Sequence, residues 1–280
     1  MADRALRQEY AEEIAPRTTA ALEYVFSSVK LPEPRRVLDL GAGTGAAGRT
    51  VLARWPAVEL VSVDKVGGPS VVRADVARAI RPPGVAGHFD WLLAAHLLNE
   101  LALDVEGKTR LVVGWCRELL VDDGTCILIE PALRETSRGL LALRDQLIAA
   151  GHFVVAPCLL QSPCPALARE RDFCHASTDA IAQGRSRVDF SYLVVRRHGR
   201  ATEDKDLFRM VSDPIKDKGR LRFFACGPAG RVLVTRLDRD GSASNQTFDD
   251  LGRGDVVRIR GASTRPDGMR CTGDTLVERC

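Results

Sequence analysis

Hydrophobic and polar positions along this chain repeat with two periods, and the change from one to the other marks its elements. Leu22, Val25, Phe26 and Val29 recur at helical spacing before the breaker Leu31-Pro32-Glu33-Pro34, which reads as one or two helices followed by a linker. Residues 35–40 are a short apolar strand, and residues 46–55 return to the helical pattern. Further strands are predicted over 58–63, ending on Asp64, over 89–95, and over 125–129, ending at Glu130 and Pro131. Helical patterns cover 111–120 and 139–150, the second stopped by Gly151. Strands alternating with helices predict an α/β fold whose mostly parallel, doubly wound sheet carries its ligand at the strands' C-terminal ends. Residues 152–156 and 188–196 supply a sixth and an antiparallel seventh strand. Beyond His198, short apolar strands at 221–225, 232–234 and 255–259 predict a small β-module. The chain thus divides into a helical segment 1–34, a sheet domain 35–197 that includes a cysteine-rich loop 157–178, and the module 198–280.

With 280 residues, 45% hydrophobic and 28% charged, the chain has the composition of an ordinary soluble protein that buries a sizeable core. No apolar run approaches the roughly 20 residues that span a bilayer, so no membrane partner is expected. The first residues, MADRALRQEYAEEIAPR, mix acids and bases and resemble neither a secretory signal nor a mitochondrial presequence, which places the protein in a cytosol. Eight cysteines in a reducing compartment read as buried thiols or metal ligands. Charge is unevenly spread: residues 185–280 carry 20 Lys and Arg against 14 Asp and Glu, whereas residues 1–184 carry 20 against 23. The basic end suits a phosphate-rich partner, and equally a solvated surface.

The glycine-rich turn Gly41-Ala42-Gly43-Thr44-Gly45 follows the first strand and opens a helix. Glycines let the backbone approach a ligand, and the helix that follows presents free N–H groups. Gly41, Gly43 and Ala46 also satisfy the dinucleotide fingerprint, so the turn alone does not separate S-adenosylmethionine from NAD. Asp39, just before the first glycine, favours the former, because the string VLDLGAGTG resembles the first motif of class I methyltransferases. Asp64, 19 residues beyond Gly45, is placed to accept two ribose hydroxyls. Asp75 stands where such enzymes bring a side chain to the adenine, or else it caps a helix. After the fourth strand, His96, Asn99 and Glu100 are the weak catalytic candidates, since the Asn-Pro-Pro-Tyr type of tetrapeptide used by amine methyltransferases is absent; Glu130 is another candidate base. Cys116 and Cys126 fall in a helix and a strand and read as packed thiols.

Cys158, Cys164 and Cys174 lie within 17 residues, two of them beside prolines. Thiolates gathered on one loop bind soft metals, and three leave a tetrahedral site one ligand short. Cys226 is the natural fourth and would clamp the C-terminal segment onto the sheet domain; His175, Cys271 and Cys280 compete for the role. Gaps of five and nine residues are unlike the paired knuckles of zinc ribbons, which favours an iron–sulfur cluster, with zinc the alternative and buried free thiols the plainest reading.

VLDLGAGTGAA, LIEP, the cysteine loop from APCLLQSPCP to DFCH, FSYLVVRR, the stretch 214–219, the strand ending at Cys226 and residues 252–255 together resemble the methyltransferase-like Rsm-type assembly factors of the mitochondrial small ribosomal subunit and their bacterial relatives. The resemblance covers nearly the whole chain, and the order of the cysteines is its most specific part. It implies a four-iron four-sulfur cluster on Cys158, Cys164, Cys174 and Cys226, S-adenosylmethionine in the pocket, and binding to small-subunit ribosomal RNA. It departs from the family at Phe173, often Trp there.

In the module, Lys216, Lys218, Arg220, Arg222, Arg231, Arg236, Arg258 and Arg260 are candidates for a phosphate-contacting face, since alternate strand positions point outward. Three classes of function follow: an assembly factor that uses the cofactor and cluster structurally, an active rRNA methyltransferase, and a small-molecule methyltransferase with a zinc-stapled lid.

Overall fold

The computed structural model describes residues 2–179, 187–228 and 230–280, with side chains from Ile14 onward. The chain forms two compact units, one of Met1–Ala156 with Ser177–Gly199 and the other of Pro157–Ala176 with Arg200–Cys280.

The first unit begins with α1 (Ala2–Ser28), a single helix that continues through Pro16. Its apolar face, Leu22, Val25 and Phe26, is buried as the spacing predicts. The Phe26 ring meets Trp55 and Trp91 at 5.0 and 5.5 Å, and Tyr24 meets Phe190 edge-on at 5.4 Å. Then follow β1 (Arg36–Leu40), α2 (Ala46–Arg54), β2 (Glu59–Asp64), β3 (Val71–Arg73), β4 (Phe89–Ala95), α3 (Val105–Glu118), β5 (Leu120–Pro131), α4 (Arg134–Ala149), β6 (Phe153–Ala156), β7 (Ala176–Thr178) and β8 (Val188–Arg196). α3 starts where Asp104 accepts the Gly107 N–H, and α4 gives way to Gly151 at φ +88°.

The sheet order is β3-β2-β1-β4-β5-β8-β6, with β7 beside β8. β1 to β5 run parallel, and β8 lies antiparallel between β5 and β6. This is the doubly wound, mostly parallel sheet expected, including its antiparallel strand. Central strands are apolar on both faces, as layers above and below require: Val37, Leu38, Trp91, Leu92, Ile127 and Leu128 are all buried. Strand order reverses between β1 and β4, and that reversal opens a crevice at their C-terminal ends.

The second unit holds β9 (Leu207–Met210), β10 (Ile215–Asp217), β11 (Arg220–Gly227), β12 (Gly230–Leu237), β13 (Val256–Arg260), β14 (Ser263–Arg265), β15 (Gly268–Cys271) and β16 (Leu276–Arg279). Their order is β14-β15-β12-β11-β9-β13-β16, with β10 on β11; β12 and β15 are parallel, the other pairs antiparallel. Phe208, Met210, Phe223, Phe248, Val257 and Cys271 form its core. Alternation along β11 buries Leu221, Phe223 and Ala225 and turns Arg222, Phe224 and Cys226 to the other face. The cysteine-rich loop, read from sequence as part of the sheet domain, clusters with these C-terminal residues. Among the described residues, no helix is long and apolar enough to cross a membrane.

Candidate functional site

At the β1/β4 crevice a cavity of about 350 Å³ is lined by Gly41, Gly43, Asp64, Asp75, His96 and Glu100, together with Lys65 and Leu97. The glycine turn closes it from one side. Gly41 has φ +69°, and a Cβ there would stand 2.7 Å from Leu97 Cδ1, so any larger residue is both strained and obstructed. The Gly41 and Ala42 N–H groups donate to the Val63 carbonyl, tying the turn to the end of β2. Asp64, the last residue of β2, accepts from the Gly43 N–H at 3.0 Å through Oδ2 and from the Val66 N–H at 2.8 Å through Oδ1. Its carboxylate is therefore fixed in orientation while each oxygen keeps lone pairs for a ligand. Asp75 lines the cavity and accepts from the Ala77 N–H at 3.0 Å in a turn, so it does not cap a helix.

Asp39 stands elsewhere. It is 1% exposed and accepts the Gly48 N–H at 3.2 Å, beneath the turn and not among the lining residues. A Cβ on Gly48 would meet Leu60 at 2.7 Å, so this close approach of α2 to the sheet is what Asp39 braces. Burial pushes its carboxyl up to about 7; the Gly48 bond opposes that shift, and the charge of Asp64 adds to it. Gly45, at φ +76°, precedes α2 and is likewise outside the lining.

The loop after β4 is organised from below by Glu130, at the end of β5. Its carboxylate, 1% exposed, accepts the Leu98 N–H at 2.8 Å and the Asn99 N–H at 3.2 Å. With the Asn99 amide assigned so that its nitrogen faces acceptors, it donates to the His96 carbonyl at 3.0 Å and to Glu130 at 2.7 Å. Glu130 is therefore a positioning group; burial pushes it up to about 7 against the pull of the two backbone bonds. His96 is held at φ +56°, a left-handed conformation unusual for a side-chain-bearing residue, with its N–H donating to the Ile129 carbonyl at 2.7 Å. Burial, and secondarily the charge of Arg17, lower its imidazole to about 4. Its Nε2 is sealed from solvent with no hydrogen-bond partner among the described residues, a condition that costs about 1–3 kcal/mol in a folded protein. A second cavity of about 310 Å³ shares His96 and Glu100 with the first and adds Arg17, Asn99, Leu133 and Phe190. Lys65 follows a strand end, and position alone could have flagged it; Arg17 reaches the site only through the packing of α1, which leaves no local signal in the sequence.

Cys158, Cys164, Cys174 and Cys226 all belong to the second unit, so a group they shared would close that unit on itself. Cys174 is pushed up to about 12 by burial and then by the neighbouring Cys158 and Cys164, against the pull of Arg253 and Arg231. Cys226 pairs across the strands with Arg231, whose guanidinium lies 3.0 Å from Asp172, two residues from Cys174, and 4.7 Å over the Phe224 ring. The next residue of that turn also approaches the loop, since a Cβ on Gly230 would lie 4.0 Å from Pro165. Thiols are the donor type that a soft metal group takes. Cys271 is buried in the β-core and is not in their company, and Cys116 and Cys126 are packed thiols of the first unit, as expected. Among the described residues, no three His, Cys, Asp or Glu side chains gather in a way that would hold a single metal ion.

The basic face needs a correction at Arg236. Val234 and Arg236 share the inward face of β12, and the guanidinium, 6% exposed, donates to Asp249 and to the Asn245 carbonyl at 3.0 Å. It is an interior strut and not a phosphate contact. Arg220 and Arg222 both pair with Asp217, Arg258 with Asp204, and Arg260 with Asp206 and Glu278. Lys216 and Lys218 are exposed.

A family model described as mitochondrial small ribosomal subunit Rsm22 matches residues 8–249. This chain belongs to the Rsm22 family. No curated protein matches it. Solved structures similar to this Rsm22 chain include the plantazolicin methyltransferase BamL in complex with a triazolic desmethylPZN analog and SAH, 12% identical over 71% of this chain and 92% of that one, with a TM-score of 0.47. The methyltransferase CalO1 of calicheamicin biosynthesis is 21% identical over 51% of this chain and 50% of its own, with a TM-score of 0.36. The plantazolicin methyltransferase BpumL in complex with SAH is 14% identical over 52% and 51%, with a TM-score of 0.30. The match to these last two thus spans about half of their length.

Proposed function

We propose that this Rsm22 chain binds S-adenosylmethionine in the crevice cavity, carries a four-iron four-sulfur cluster on Cys158, Cys164, Cys174 and Cys226, and associates in a cytosol with the small ribosomal subunit and its rRNA, assisting assembly or translation. The family match over residues 8–249 carries the reading, because it spans the glycine turn and all four cysteines. Asp64 would take the ribose hydroxyls, Gly41 and Gly43 would lie along the amino-acid tail, and Asp75 would face the adenine. Bound S-adenosylmethionine supplies an electrophilic methyl group, and this chain's residues hold and orient it. A bound cluster would order the cysteine loop, which has little apolar core of its own. The exposed Lys216 and Lys218 are the foremost candidates for phosphate contact.

A second reading, an active rRNA methyltransferase, is favoured by one observation: His96, whose Nε2 has no partner among the described residues, stands in the wall common to both cavities. Calorimetry with S-adenosylhomocysteine and with NAD tests the cofactor; tighter binding of NAD would overturn it. Metal and sulfide analysis of anaerobically purified protein tests the cluster. About four iron and four sulfide per chain are expected, and stoichiometric zinc without sulfide would overturn the cluster's identity.

A further inference from the structure

We infer that the second cavity of the first unit is a nucleotide-binding subsite, in which His96 meets the polar edge of a base and Arg17 meets the phosphate. It deepens the cofactor reading above, since the shared wall sets this ligand beside the S-adenosylmethionine cavity. The walls come from four segments: α1 gives Ile14 and Arg17, the loop after β4 gives His96, Asn99 and Glu100, the end of β5 and the residues after it give Pro131 and Leu133, and β8 gives Val188 and Phe190.

A volume of about 310 Å³ lies at the lower end of the roughly 300–1,000 Å³ typical of small-ligand pockets. Its chemistry is mixed in the way a nucleotide requires. Ile14, Val188 and Phe190 offer apolar surface, and the Phe190 ring is stiffened by its edge contact with Tyr24 at 5.4 Å. Leu133, at the rim, is 65% exposed, the most exposed large hydrophobic side chain described, and would be covered by a bound base. Arg17 has no ion-pair partner among the described residues, whereas Arg187 and Asp189 on the opposite wall are engaged with each other at 2.8 Å. An anionic ligand group therefore finds its complement at Arg17.

His96 gives the subsite its specificity. Glu130 and the Ile129 carbonyl hold its backbone in a strained conformation, which fixes the ring between the two cavities, and Nε2 has no partner among the described residues. A neutral imidazole nitrogen accepts from an N–H or O–H at a base edge; burial first and the charge of Arg17 second keep a second proton off it, whereas the Glu100 and Glu130 carboxylates pull the other way. His96 is the acceptor in this arrangement.

The test is calorimetric titration of the full chain with the four ribonucleoside 5′-monophosphates, with and without S-adenosylhomocysteine, for wild type, Arg17→Ala, Arg17→Lys and His96→Ala. At least one monophosphate should bind wild type, and its unphosphorylated nucleoside more weakly. Arg17→Ala should weaken that binding tenfold or more and Arg17→Lys should recover part of it. S-adenosylhomocysteine affinity should stay within twofold in both Arg17 variants, because Arg17 lines the second cavity and not the first. If S-adenosylhomocysteine binds and no monophosphate does, or if a monophosphate binds all variants equally, the subsite is refuted and the cofactor reading stands. Arg17-dependent monophosphate binding without S-adenosylhomocysteine binding would refute the cofactor reading and leave the subsite.

Discussion

Asp39 and Asp64 sit at the ends of adjacent strands, yet their surroundings give them opposite tasks. Asp64 opens on the cavity with its carboxylate fixed by two backbone N–H groups, so Asp64→Ala should weaken S-adenosylhomocysteine binding by about 2–4 kcal/mol, read by calorimetry. Asp39 is enclosed, and its carboxyl rises from 3.8 to about 7. An acid raised in the folded state binds a proton that the unfolded chain has lost, so its contribution is fully present below pH 3.8 and disappears as pH climbs through about 7. Asp39→Asn keeps an acceptor for the Gly48 N–H and removes that dependence. Urea unfolding of wild type and Asp39→Asn from pH 4 to pH 8 should show the variant gaining on wild type by roughly 2–4 kcal/mol; parallel curves would mean that Asp39 is not held in a desolvated site. His96 acts in the reverse sense: its stabilising neutral form is lost as pH falls from 6.5 through about 4.

Elements with a long apolar run were legible in the sequence, and those without were not. β1, β4, β5 and β8 lie in the middle of the sheet with apolar residues on both faces, so their runs stand out although Asp39, Asp90, Glu130 and Asp189 fall within them. β3, β7, β10 and β14 are three residues each and mostly polar, held by neighbours' hydrogen bonds that leave no periodic trace. The Gly41, Gly43 and Asp64 positions were legible because the glycines form the turn that follows β1 and Asp64 ends β2, whereas Arg17 needed α1 to be docked first. Arg236 shows the cost of counting charges before applying alternation, since it shares the core-facing side of β12 with Val234. There it also binds Asn245, whose amide donates to the Asp240 and Thr272 carbonyls at 3.0 and 2.9 Å. Arg236→Ala should therefore destabilise the second unit by on the order of 3 kcal/mol, seen as a lowered chemical-denaturation midpoint. An unchanged midpoint would return Arg236 to the surface.

At the scale of the whole molecule, the crevice cavity lies in one unit and all four loop and strand cysteines in the other. Cys226→Ser should abolish iron and sulfide retention and expose the second unit to protease, while S-adenosylhomocysteine affinity stays within about twofold, since each unit carries its own core. Loss of both together would mean that the cavity depends on the cysteines. The most direct test of the account is sedimentation binding of the anaerobically prepared protein to immature small-subunit particles across a salt series, for wild type and for Lys216→Glu with Lys218→Glu. We predict saturable one-to-one binding that weakens steeply with salt, and a slope shallower by about 1–2 in the double variant as two phosphate contacts are lost. No saturable binding of the wild-type protein at any salt would contradict it.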